Sequence, residues 1–219
     1  MGRILSESAI AAFGRDGITV PLRAFAPETA AAFARQMAAS LPPGALDADP
    51  AGRLSLHLHF TWALELVRHP RILDAVADLV GPNLLCAGAS PDPGGTWSTR
   101  VRRPTPTSPA GETVLCRVAF SELALRSIGG TTVRLAPGSF VLAAPWAGLQ
   151  PVAGTAVTGI VARYITPHSR PVIAVDQALL VRGIDQTGKF ALAAEPVVDA
   201  LPGLLAARRG RRGAALHED

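Results

Sequence analysis

Val157-Thr158-Gly159-Ile160-Val161-Ala162-Arg163-Tyr164-Ile165 is the stretch on which the fold of this chain turns. Its β-branched and aromatic residues predict a strand, and it carries an arginine within an apolar run. Side chains alternate along a strand, so Arg163 shares a face with Val157 and is expected to point inward. The same texture continues outward in both directions. Leu84 to Ala87, Thr113 to Phe120, Thr131 to Leu135, Ser139 to Leu142 and Ala178 to Arg182 read as short strands between Gly- or Pro-rich turns. Arg117 is out of phase with Val114, Cys116 and Val118, and Arg134 is a third strand arginine. An arginine buried in such a sheet needs a partner.

The first part of the chain reads differently. Phe13, Asp16-Gly17 and Ile18-Thr19-Val20-Pro21 suggest a short helix, a turn and an edge strand. Pro27-Glu28 opens an Ala-rich helix to about Ser40, with proline in the first turn and an acid at the positive dipole end. Trp62, Leu66 and His69 share a helical face, and after Pro70 the apolar residues Ile72, Leu73, Val76, Leu79 and Val80 keep helical spacing until Gly81-Pro82. Helices first and strands afterwards predict an α+β domain with a sheet sandwich or barrel. Residues 1–200 are expected to form one domain, followed by a basic tail, 201–219, that contains Arg208, Arg209, Arg211 and Arg212. The Pro- and Gly-rich stretch from Ser90 to Gly111 is read as a loop.

Composition narrows the classes. At 219 residues and 48% hydrophobic content, one sizeable core is expected. No run approaches the ~18 apolar residues of a membrane span, and the N-terminus lacks a signal peptide's apolar stretch, so a cytoplasmic protein away from membranes is expected. Cys86 and Cys116 provide neither a disulfide framework nor metal-ligand spacing. The net charge of +4 is partly local to the tail, which has no interleaved aromatics, so nucleic acid is not an expected partner.

Four segments together carry a resemblance. Leu56-His57-Leu58-His59-Phe60-Thr61-Trp62-Ala63-Leu64 leads into Val67-Arg68-His69-Pro70 and Gly81-Pro82-Asn83-Leu84-Leu85. The strand Val114 to Glu122 comes next, then Thr158 to His168, and finally Leu180-Val181-Arg182-Gly183 with Gly188-Lys189-Phe190. In this order they resemble the phytanoyl-CoA dioxygenase-like family of Fe(II)/2-oxoglutarate oxygenases. The resemblance implies a double-stranded β-helix, a jelly-roll or cupin-like barrel with flanking helices.

The family's iron-binding residues do not carry over. Where it has Trp-His-x-Asp, this chain reads Trp97-Ser98-Thr99-Arg100. The segment resembling that of the distal histidine, Ala143 to Pro151, holds no histidine, and Val157 and Thr158 stand near the family's 2-oxoglutarate arginine. A hydroxyl is a poor iron ligand and a guanidinium is none. The expectation is a metal-independent enzyme without a cofactor, a cyclase or isomerase acting on a hydrophobic small-molecule intermediate of bacterial secondary metabolism. The alternatives are a non-catalytic protein that binds a ligand or supports a partner, and an oxygenase with displaced ligands. Arg100, Arg163 and Arg117 are the candidate catalytic groups, with Arg100 standing in for the metal's charge. Trp97, Ser98, Trp146, Gln150, His59, Arg134 and His168 are the candidate substrate contacts. A homodimer or a partner enzyme fits the same reading.

Overall fold

A computed structural model describes residues 3–41, 55–92, 113–152, 159–169 and 177–197. Trp97, Ser98, Arg100, Val157, Thr158 and the basic tail lie outside the described residues.

Helix α1 (Glu7–Asp16) is capped by Ser6, whose hydroxyl accepts from the Ala9 amide, and it stops at Gly17, where φ is 73°. Strand β1 (Leu22–Arg23) and helix α2 (Pro27–Ser40) follow. The Ala-rich helix begins at Pro27, as its sequence predicts, and buries Ala30, Phe33 and Met37. A single 3-10 turn at Leu56–Leu58 leads into α3 (Thr61–Val67) and α4 (Pro70–Val80), the latter closed by Gly81 at φ 96°.

The remaining strands are β2 (Leu84–Pro91), β3 (Thr113–Ala119), β4 (Leu123–Arg126), β5 (Thr132–Leu135), β6 (Ser139–Ala143), β7 (Gln150–Pro151), β8 (Gly159–Ile165) and β9 (Leu179–Arg182). Six of the nine form one antiparallel sheet in the order β1-β6-β3-β8-β2-β9, and β5-β4-β7 form a second. The larger sheet presents Cys86, Ala89, Val114, Cys116, Val118, Phe140, Leu142, Ala162 and Tyr164 to the helices, where they join the main apolar core. Phe25, Phe33 and Phe120 tie α2 to this sheet, with Phe33 stacked on Phe120 at 5.9 Å. Its other face meets the small sheet through Ala119, Val141 and Ala143 against Leu123, Leu125, Val133 and Leu135. A third cluster, Leu85, Ala87, Ile165 and Ala178, closes the β9 end. Two facing antiparallel sheets with helices outside the larger one make an α+β, double-stranded β-helix architecture.

Three expectations change. The edge strand read at Ile18 to Pro21 is found at Leu22–Arg23, because Pro21 has no N–H to continue a ladder. Ile18 makes only an isolated bridge to Ala143. Leu123 to Arg126, absent from the strands read in the sequence, is a strand that forms a hairpin with β5 around Ser127–Gly130, where Gly130 takes φ 85°. Ser90 and Pro91, read as loop, extend β2, and the register shift between Cys86 and Gly88 puts a bulge in that strand.

Candidate functional site

The pairing register places a polar group on the face of the large sheet turned away from the helices. Arg117 stands opposite Val161 on one side and Val141 on the other, and Val161 in turn faces Ser90. Arg163 lies two residues along β8 from Val161, opposite Leu115. The two arginines are therefore diagonal neighbours on adjacent strands, with Cβ atoms roughly 7 Å apart. Ser90, Arg117 and Arg163 are all buried, between the apolar clusters that close the two ends of this face.

Two residues beyond Ser90 on the same strand phase is Asp92, whose amide donates to the Gly159 carbonyl at 3.0 Å. Arg117 reaches it: Nη1 donates to Asp92 Oδ2 in an ion pair whose side chains are 3% and 1% exposed. The other carboxylate oxygen, Oδ1, is buried and has no hydrogen-bond partner among the described residues. Arg163 Nη2 donates to the Ala87 carbonyl at 3.1 Å, and burial lowers its guanidinium below the ordinary arginine value. The structure thus supplies Arg117 with the partner that a buried arginine requires.

Asp92 is absent from the residues singled out in the sequence. Its signal is faint: a single acid enclosed by Pro91 and Pro93 at the end of an otherwise apolar strand.

The other candidates scatter. Arg134 is exposed, because Val133 and Leu135 take the inner face of β5 and leave it outside. Trp146 is a packing residue against Gly17: a Cβ there would come within 2.6 Å of the indole, so only glycine admits it. Gln150 is exposed on β7. His168 is exposed in the turn after β8, with Nε2 3.3 Å from Gln186 Oε1. His59 is half-buried and terminates the 3-10 turn. None of these five joins Arg117 and Arg163.

The histidines lie elsewhere too. His57 is fully buried beneath β2, with Nε2 donating to the Cys86 carbonyl at 3.3 Å, and burial pushes it down to about 4. His69 packs edge-on against Phe25 at 5.6 Å. Among the described residues, no three His, Cys, Asp or Glu side chains converge as a metal site. Asp92, the buried carboxylate of the inner face, already has a guanidinium at bonding distance. A 2-His-1-carboxylate set needs two imidazoles beside a carboxylate, and the described residues bring no such set together.

No family model and no curated protein matches the chain. Solved structures do. A non-heme monooxygenase, ThoJ, in its nickel complex, is similar over 94% of this chain and 99% of its own, with 22% identity and a TM-score of 0.65. CytC3 with Fe(II) and alpha-ketoglutarate is similar over 90% of this chain and 96% of its own, at 21% identity and a TM-score of 0.64. The non-heme alpha-ketoglutarate-dependent epimerase SnoN from nogalamycin biosynthesis is similar over 88% and 95%, at 17% identity and a TM-score of 0.51. What the chain shares with them is the fold, the double-stranded β-helix of non-haem iron, 2-oxoglutarate-dependent oxygenases.

Proposed function

We propose that this chain is a metal-independent enzyme on an oxygenase-type barrel, a cyclase or isomerase that takes a small hydrophobic substrate bearing a carbonyl or carboxylate. The observation that carries the reading is the buried inner-face group of Asp92, Arg117 and Arg163. Charged groups are expensive to bury, so a pair and a further guanidinium on one barrel face are better explained by chemistry than by packing. The apolar clusters on either side favour a hydrophobic substrate. An epimerase among the similar folds, itself non-heme and alpha-ketoglutarate dependent, is compatible with isomerisation on this scaffold.

In this reading Arg163 draws electron density from the substrate oxygen, and a guanidinium in a dry site does so more strongly than in water. Arg117 holds Asp92 in place. Arg100 would add a second cation from the segment that resembles the family's ligand loop. Shape and fixed charge, rather than a covalent intermediate, supply the rate enhancement.

Two measurements test this. Anaerobic incubation with Fe(II) and 2-oxoglutarate is expected to leave iron far below one per chain and to yield no succinate. Stoichiometric iron with succinate formation overturns the proposal. Benzoate, a carboxylate on an apolar ring, is expected to bind, with about tenfold loss of affinity in Arg163→Met and a similar loss in Arg100→Ala.

A further inference from the structure

Arg117 and Asp92 do not form the arrangement that best satisfies a buried pair. A guanidinium opposite a carboxylate commonly donates two parallel bonds, one to each oxygen. Here a single nitrogen meets Oδ2, and Oδ1 is buried with no donor among the described residues. A charged acceptor without a donor in a dry interior is costly.

The position of the oxygen matters as much as its lack of a partner. Asp92 is on the same strand phase as Ser90 and on the same face as Arg117 and Arg163. Arg117 supplies the counter-charge from one side, so a ligand at Oδ1 need not be a cation. A neutral group that donates one hydrogen bond completes the carboxylate. An ammonium or amidinium would instead meet the nearby guanidinium and be repelled.

We propose that Asp92 is a substrate-binding residue whose free Oδ1 accepts the O–H of a neutral hydroxyl- or enol-bearing ligand. This deepens the reading above and rests on it in taking the inner face as the ligand site. The substrate class becomes a hydroxylated ring or chain whose carbonyl or carboxylate meets Arg163 while its hydroxyl meets Asp92.

Phenol and anisole make a matched pair of probes: the same ring, with and without the donor hydrogen. Titrations of the full chain with Asp labelled with ¹³C at the carboxyl carbon read both affinity and place. Phenol is expected to bind at least about tenfold more tightly than anisole and to move the Asp92 carboxyl resonance. In Asp92→Asn, Arg117 turns the amide oxygen toward itself and leaves the NH₂ outward, so the free position becomes a donor. The preference for phenol over anisole is then expected to vanish. Should that variant fail to fold, the wild-type comparison decides alone.

Equal binding of the two probes, no movement of the Asp92 resonance, or no phenol binding at its highest soluble concentration overturns the proposal. Equal probes alongside benzoate binding that depends on Arg163 remove the role of Asp92 and leave the functional reading intact. Iron with succinate formation removes that reading whatever phenol does.

Discussion

The two faces of the six-stranded sheet bury polar groups in opposite ways. On the helix side, Tyr164 and His57 are neutral groups that each donate to a backbone carbonyl. Tyr164 donates to Val67 O at 2.8 Å, and His57 to Cys86 O at 3.3 Å. Burial raises the Tyr164 hydroxyl well above its ordinary value and pushes the Cys86 thiol up to about 12, so neither carries charge near neutrality. On the inner side, an Asp92–Arg117 ion pair and Arg163 are charged groups in an equally dry place. The first arrangement is how a core tolerates polarity at modest cost. The second keeps charge in the interior, and it is the arrangement on which the proposed function rests.

The sharpest way to break this contrast is to cut the ion pair. Arg117→Ala leaves Asp92 buried and uncompensated and is expected to cost about 3–5 kcal/mol, read from urea unfolding. The double variant Asp92→Leu/Arg117→Met is expected to recover most of that loss, because an apolar pair avoids the desolvation of both charges. A double variant as unstable as the single would show that the inner pair serves the fold as the helix-side groups do.

A second test addresses the neutrality of the helix side through pH. His57 sits near 4 in the folded chain against an ordinary value of 6.5. Between these values the unfolded chain takes up a proton that the folded chain refuses, so stability falls as pH drops through 6.5 toward 4. The contribution is fully present above pH 6.5, and the loss by pH 4 is on the order of 3 kcal/mol. His57→Gln removes the titration, so the difference between wild-type and variant unfolding curves isolates this residue from the carboxylates. A wild-type curve no steeper than the variant's would mean that His57 accepts charge in place.

The smallest expected effect is at Tyr164. Tyr164→Phe deletes one neutral hydrogen bond and keeps the ring, at a cost of about 1 kcal/mol in the same unfolding assay. A loss as large as that of Arg117→Ala would erase the distinction between the faces.

Much of this architecture is visible in local residue patterns. Pro27 and Gly81 bracket helical periodicity, and the apolar runs Thr113–Ala119 and Gly159–Ile165 are strands because β-branched and small apolar residues are placed as a two-sided buried sheet requires. Leu123–Arg126 was hidden because four residues carry too little period to separate a strand from a connection. Gln150–Pro151 is a strand only by virtue of its neighbour β4. The inward phase of Arg163 and Arg117 follows from alternation, and both lie on the inner face. Arg134 obeys the same alternation but on a half-exposed strand, where the polar phase is the solvent phase.

The sequence by itself determined the α+β order of elements, the apolar strands, the arginines placed out of phase with them, and the missing histidines of the ligand pattern. Those are properties of period and residue type, which act over a few neighbouring positions. Tertiary structure alone decided that Asp92 meets Arg117 across 25 residues of chain, and that its other oxygen has no donor among the described residues. It also sent Trp146, Gln150, His59, Arg134 and His168 to other places. Strand order β3-β8-β2 brings those partners together through pairing between distant segments, and no local pattern encodes such pairing.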